Sequence, residues 1–166
     1  MKKILVIPAI VLSGLIACNS ANNSETVTNT DSTAADTSHA AMDMSMESNM
    51  PAVPDGATVF FKNLKNGQTV SSPVKVEMGA NGISVYSAGA VKPNSGHFHI
   101  LIDAEDSIPA GQVIAKDSSH LHFGNAQQEA TLTLSPGKHK LALQFADGAH
   151  RSYGNKLDQV ISITVK

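Results

Sequence analysis

The sequence predicts an all-β chain: an immunoglobulin-like antiparallel β-sandwich of seven to eight strands, preceded by a disordered tether. Three observations predict it. From Thr58 onward, short runs of Val, Ile, Phe, Leu and Thr are punctuated by Gly, Pro and Asn, with turn signals roughly every 8–12 residues. No stretch carries a sustained helical period framed by capping residues. Only 16% of residues are charged, against 12 Gly and 7 Pro, the reverse of a helical bundle rich in Glu, Lys and Leu. The 166 residues leave room for one such domain.

Residues 1–17 read as a lipoprotein signal peptide. Lys2 and Lys3 precede an apolar run from Ile4 to Ile16, and a helical run of that length spans roughly 20 Å, short of the roughly 30 Å hydrocarbon core. The run is therefore an export signal rather than a membrane span. Its end, Leu15-Ile16-Ala17-Cys18, is similar to a bacterial lipobox, and Cys18 is the only Cys in the chain. Cys18 is thus the expected site of lipidation, and several acyl chains anchor a protein durably. Asn19 stands where an inner-membrane retention signal would place Asp. The expected location is the bacterial cell envelope, with the outer membrane favoured and the domain in the periplasm or at the surface.

Residues 18–55 read as a disordered acidic tether of Asn, Ser, Thr, Ala and Met, too poor in large apolar groups to offset the entropy of ordering. About 35 flexible residues span on the order of 30–35 Å between their ends. Glu25, Asp31, Asp36, Asp43 and Glu47 lie here without a single Lys or Arg, whereas the domain from Asp55 on is close to neutral. The tether also carries His39, Met42, Met44, Met46 and Met50. Thioethers are soft ligands suited to Cu(I), and an imidazole can complete such a site. These five are the tether's candidate ligands; low-complexity drift in a linker is the competing explanation.

Residues 56–166 form the expected β-sandwich domain, with strands at Thr58–Phe61, Pro73–Met78, Ile83–Tyr86, His97–Ile102, His120–Phe123, Ala130–Leu134, Lys138–Phe145 and Gln159–Val165. A domain of this size buries a little over 60% of its unfolded surface, enough to stand without disulfides or metal. At the corner Ser135-Pro136-Gly137-Lys138-His139, His139 takes the place where many sandwiches have a Tyr tied back to the backbone. By parity it points with Leu141, Leu143 and Phe145, and it reads as a structural corner residue.

The chemistry of the domain lies in two His-X-His pairs. In Gly96-His97-Phe98-His99-Ile100-Leu101-Ile102-Asp103, alternation puts Phe98, Ile100 and Ile102 on one face and His97 and His99 on the other. In His120-Leu121-His122-Phe123-Gly124, Leu121 and Phe123 face the core and the two His face away. Residues i and i+2 of a strand lie about 6.5–7 Å apart, so two imidazoles can converge on one ion. If the segments meet, His97, His99, His120 and His122 face a common point, and His150, in the turn after Asp147-Gly148, is an accessory candidate. Imidazole sets suit copper or zinc, and Cu(II) leads on intrinsic affinity. The competing explanation is that these rings serve a polar sheet face or bond loop carbonyls.

The ordered motifs Gly96-His97-Phe98-His99-Ile100-Leu101-Ile102-Asp103, His120-Leu121-His122-Phe123-Gly124, Gln128 to Leu134, Pro136 to His139 and Asp147 to His150 resemble an uncharacterised bacterial envelope domain, domain of unknown function family 4399. The resemblance covers roughly Thr58 to Val165 and implies a small secreted or lipid-anchored β domain. Family members commonly have three successive His where this chain reads His97-Phe98-His99, and often another His near Tyr153.

A net charge of −2 leaves no basic footprint for nucleic acid, and a single Cys excludes an internal disulfide framework. Phosphate-binding Gly loops and a nucleophile elbow are absent. Asp103, Glu105 and Asp106 read as a solvated loop. The expectation is therefore a non-enzymatic envelope lipoprotein that binds a transition metal, copper (Cu(I) or Cu(II)) first and zinc second. Its partners would be the membrane, through the lipid anchor, and a metal-delivery or other envelope protein. The alternative is a lipid-anchored immunoglobulin-like adaptor that holds an envelope protein or polymer and no metal.

Overall fold

The computed structural model describes residues 50–166. The expected signal peptide, the Cys18 lipidation site and the tether residues His39, Met42, Met44 and Met46 lie outside the described residues. Met50 and Val53, at the end of the expected tether, pack partly buried against the main core.

Among the described residues nine strands follow in order: β1 (Thr58–Phe61), β2 (Gln68–Val70), β3 (Val74–Asn81), β4 (Ser84–Val85), β5 (Ser95–Ile102), β6 (His120–His122), β7 (Glu129–Leu132), β8 (Gly137–Ala146) and β9 (Asp158–Val165), with a 3-10 turn at Gly154–Leu157. One sheet is ordered β1-β3-β7 and the other β2-β9-β8-β5-β4, with β6 also on β5. The all-β sandwich is as the alternation pattern predicts. The three-residue β2 escaped the sequence reading because Gln68-Thr69-Val70 is too short to show a period. Two short edge pairs, β2 with β9 and β4 with β5, run parallel within an otherwise antiparallel fold.

The core lies where the apolar rows of the two sheets meet. Phe98 and Ile100 of β5, Leu141, Leu143 and Phe145 of β8, and Ile161 and Ile163 of β9 pack against Val59, Phe61, Val76 and Met78. Each such side chain contributes roughly 1.5–3 kcal/mol when fully buried. Tyr153 joins them: it stacks on Phe145 and its hydroxyl donates to the Ser95 carbonyl oxygen at 2.9 Å. Burial pushes the Tyr153 phenol up to about 12, so here it is a core residue and a backbone tie. Gly96 is required by close approach, since a Cβ would run into the Ala146 carbonyl oxygen and the Phe145 ring.

The opposite face of β5 and β8 is covered rather than open to solvent. The connection from 103 to 119 crosses it as a strap, and Ile108 and Ile114 pack there with Leu101, Ala142 and Ala146 in a second, smaller core. Gln144, opposite His99 in register, fastens the strap from beneath. Its Oε1 accepts from Ser107 Oγ and from the Ile108 N–H at 3.0 Å each, and its Nε2 donates to the Gly154 carbonyl at 2.9 Å. The layer between strap and sheet holds the histidines.

Candidate metal centre

The two central strands and one loop bring the rings together. β8 occupies one edge of β5, while β4 and β6 share the other, β4 at Ser95 and Gly96, β6 at His99 to Leu101. His99 is directly opposite His122 in the β5–β6 register, so their rings rise from the same face, with centroids 5.1 Å apart. His97 stands two residues along that face. His150 arrives from the loop after β8, with its backbone in the left-handed region at φ +66°. Nitrogens of His97, His122 and His150 all lie within 4.8 Å of one another. The His97 ring centroid is 5.0 Å from those of His122 and His150, and 4.9 Å from that of His99.

Two nitrogen–nitrogen contacts are especially close. Nε2 of His97 is 3.1 Å from Nε2 of His99, and Nε2 of His150 is 3.1 Å from Nε2 of His122. Nitrogens bound at about 2.0–2.1 Å to one ion stand about 3.0–3.4 Å apart at bond angles of about 95–110°. These spacings therefore suit either an N–H shared between neutral rings or coordination to one ion.

His97 and His99 are wholly buried, and His122 and His150 half-buried. Burial, reinforced by the neighbouring rings His122 and His150, pushes His97 down to about 4. Burial, reinforced by His97 and the other rings, pushes His99 down to about 2. Burial, with His150 and Lys116 nearby, lowers His122 as well. Rings that stay neutral keep the lone pairs a metal needs. The Nδ1 atoms of His97 and His99 have no hydrogen-bond partner. A buried polar atom left unpaired costs roughly 1–3 kcal/mol, and such groups are retained where they serve a purpose other than stability.

His120 does not join the cluster. It sits one register step beyond His122, opposite Leu101, where the strap brings two carboxylates to it. Its Nδ1 is 2.9 Å from Asp117 Oδ1 and its Nε2 3.3 Å from Glu105 Oε2. Burial opposes a charge there, but the Asp117 and Glu105 carboxylates outweigh it and raise the pKa of His120. Both ring nitrogens are engaged by carboxylate oxygens outside the cluster. Met50 lies elsewhere again, lining a small cavity with Val53, Ala110 and Tyr153.

His139 is the corner residue expected. Its Nε2 donates to the Ser135 carbonyl at 2.9 Å, and its Nδ1 donates to Asp103 Oδ2 at 2.7 Å. The loop carboxylates read as solvated are exposed, yet each has a partner: Asp103 at His139 and the Lys140 N–H, Glu105 at His120, Asp106 at Lys140.

Two features of the site escaped the sequence reading. Gly124 was visible only as part of a motif, but a Cβ there would overlap the His122 ring, so the residue gives that ring its space. Asp147 was visible only as the start of a turn. In the fold its wholly buried carboxylate accepts the Ala149 and Arg151 N–H groups and the Arg151 guanidinium. Beside the cluster, a cleft of about 300 Å³ lined in part by Lys116, Leu121, His122, Phe123 and Leu132 gives His122 a route to solvent.

No curated protein and no solved structure matches the chain. A family model described as a domain of unknown function (DUF4399) matches residues 76–166. That span runs from β3 to the C-terminus and carries all four clustered histidines, Gly124 and Asp147. With more than half its length matched, and with the motif order the sequence displays, the chain belongs to domain of unknown function family DUF4399.

Proposed function

We propose that this domain is a metal-binding module of the bacterial envelope. It holds one transition-metal ion on His97, His122 and His150, with His99 beside His97 as a fourth imidazole. The observation that carries the reading is the convergence of three imidazole nitrogens within 4.8 Å of one another. An all-imidazole donor set suits Cu(II) first by intrinsic affinity and Zn(II) next by its tetrahedral preference. Burial holds His97, His99 and His122 below the usual imidazole range, and the cleft at His122 supplies an entry path. On this reading a lipid on Cys18 keeps the module at the membrane, and His39 with Met42, Met44 and Met46 collects Cu(I) for it, whereas Met50 packs against the core. The role is binding and delivery, not catalysis.

The test is a titration of the full-length protein in detergent with Cu(II) and Zn(II), followed by melting. Binding at 100 times Kd adds about 2.7 kcal/mol, which for a domain of this size raises Tm by roughly 10–20 °C. His97→Ala removes the rise and His120→Ala leaves it intact. A wild-type Tm indifferent to both ions overturns the proposal. So does a rise that depends on His120 rather than His97.

A further inference from the structure

Asp147 and Arg151 surround His150 without belonging to the ligand set. Asp147 follows directly on β8 and is wholly buried. Its Oδ1 accepts from the Ala149 and Arg151 backbone N–H groups, both at 2.9 Å. Its Oδ2 accepts from Arg151 Nε at 2.9 Å and from the second guanidinium nitrogen at 2.7 Å. The backbone closes the same loop, with the Asp147 N–H donating to the Arg151 carbonyl and the His150 N–H to the Asp147 carbonyl. One carboxylate thus satisfies four donors in a five-residue loop, and His150 is the residue between them.

That investment exceeds what a turn requires. A chain reversal after a strand is ordinarily made with Gly or Asn and no buried charge. Here the loop instead holds a non-Gly residue at φ +66°, a conformation that persists only when its surroundings over-determine it. The strap adds the remaining restraint: the Ile114 N–H donates to the His150 carbonyl, and Ser152 exchanges backbone bonds with Gly111 and Gln112. Among the described residues, the His150 ring has no carboxylate or carbonyl partner that would orient it. Apart from its contact with the His122 ring, its direction comes from its backbone, and its backbone is held by Asp147.

We propose that the Asp147–Arg151 pair is the positioning device of the metal centre, setting its affinity by fixing where His150 delivers its imidazole. This rests on the metal-binding reading and sharpens it: His97 and His122 sit on strands, whereas His150 is a loop ligand that must be held. Partners that orient a metal ligand from outside the coordination sphere typically account for 10- to 100-fold in affinity.

The experiment uses the full-length protein in detergent with Cu(II) as the probe, comparing wild type, Arg151→Ala, Arg151→Lys, His150→Ala and the double variant Arg151→Ala/His150→Ala. Arg151→Ala is expected to weaken Cu(II) by roughly 10- to 100-fold and to shift the electron paramagnetic resonance spectrum to that of His150→Ala, with one nitrogen fewer. The double variant should bind no more weakly than His150→Ala alone, because the arginine acts only through that ring. Arg151→Lys keeps the charge but loses the fork. It should fall between wild type and Arg151→Ala, and it carries the test if the alanine variant does not fold. Additive losses in the double variant, or an Arg151→Ala spectrum with the full nitrogen set, overturn the positioning role while the metal site stands. A wild type that takes up no Cu(II) overturns both proposals before any substitution is compared.

Discussion

His97, His99, His122 and His150 on one side, and His120 and His139 on the other, are one residue type in two opposite environments. The first four face one another. The outer two face oxygen: His120 lies between Asp117 and Glu105, His139 between Asp103 and the Ser135 carbonyl. An oxygen acceptor at each ring nitrogen favours the protonated form and raises the pKa of the outer rings, which fasten loops. Burial among neighbouring rings lowers the pKa of His97, His99 and His122 and so keeps their lone pairs free. Strand parity is the same for His120 and His122; the neighbours, not the strand, decide which is a fastener and which a candidate ligand.

Acid should break the comparison most forcefully. His97 and His99 have folded pKa values near 4 and 2, against an unfolded value of 6.5. Between those limits the unfolded chain binds more protons than the folded one, so stability is full above pH 6.5 and falls as the pH drops toward 4. Each ring contributes a loss of about 2–3 kcal/mol by pH 4. The outer rings run the other way: their raised pKa values give stability that is present below pH 6.5 and lost as pH rises through the folded value. Urea denaturation of the metal-free protein from pH 7.5 to 4.5 measures the sum, with the inner rings dominating. His99→Leu should flatten the fall, and it should leave the metal-free fold at least as stable, because it removes an unpaired buried nitrogen. A midpoint independent of pH over that window contradicts the division.

This contrast also marks how far the sequence could be read. The alternation Phe98-His99-Ile100 against Leu141-Ala142-Leu143 placed the core and the imidazole face, because period two is a local property. Convergence of His97, His99 and His122 followed from the spacing of two strands that happen to pair. His120 shares their parity but lies opposite Leu101, and its carboxylates come from the strap, whose path depends on Gln144 and Ile108 many residues away. Asp147 looked like any Asp-Gly turn, since nothing local says that a carboxylate will be buried and paired with Arg151. Strand faces are written in short windows; what a loop brings across a face is not.

A smaller effect sharpens the inner side of the comparison. Gly124 follows Phe123 with no Cβ, and one added there would overlap the His122 ring. The obstructed group is the far end of a side chain, so the ring moves aside and the backbone stays. Gly124→Ala should therefore keep the fold, with Tm within a few degrees of wild type, while weakening Cu(II) by about tenfold, equivalent to about 1.4 kcal/mol. Isothermal titration together with melting separates the two. Equal affinity in the variant would mean that the His122 ring is not confined to the position it occupies here.

The smallest effect tests the outer side. His139 ties Ser135 to Asp103 across the corner that leads into β8, and the exposed carboxylate limits what the ion pair adds. His139→Ala should cost about 1 kcal/mol, the net value of its hydrogen bonds, and leave Cu(II) and Zn(II) affinity unchanged. The cost should also shrink with rising pH: the Asp103 carboxylate and the Ser135 carbonyl raise the pKa of His139, so its contribution is complete below pH 6.5 and fades as the ring deprotonates above its folded value. Urea denaturation of wild type and variant at pH 5.5 and pH 8.5 reads this directly. A penalty independent of pH would mean the corner is held by packing alone, and His139 would lose the property that sets it apart from His97, His99 and His122.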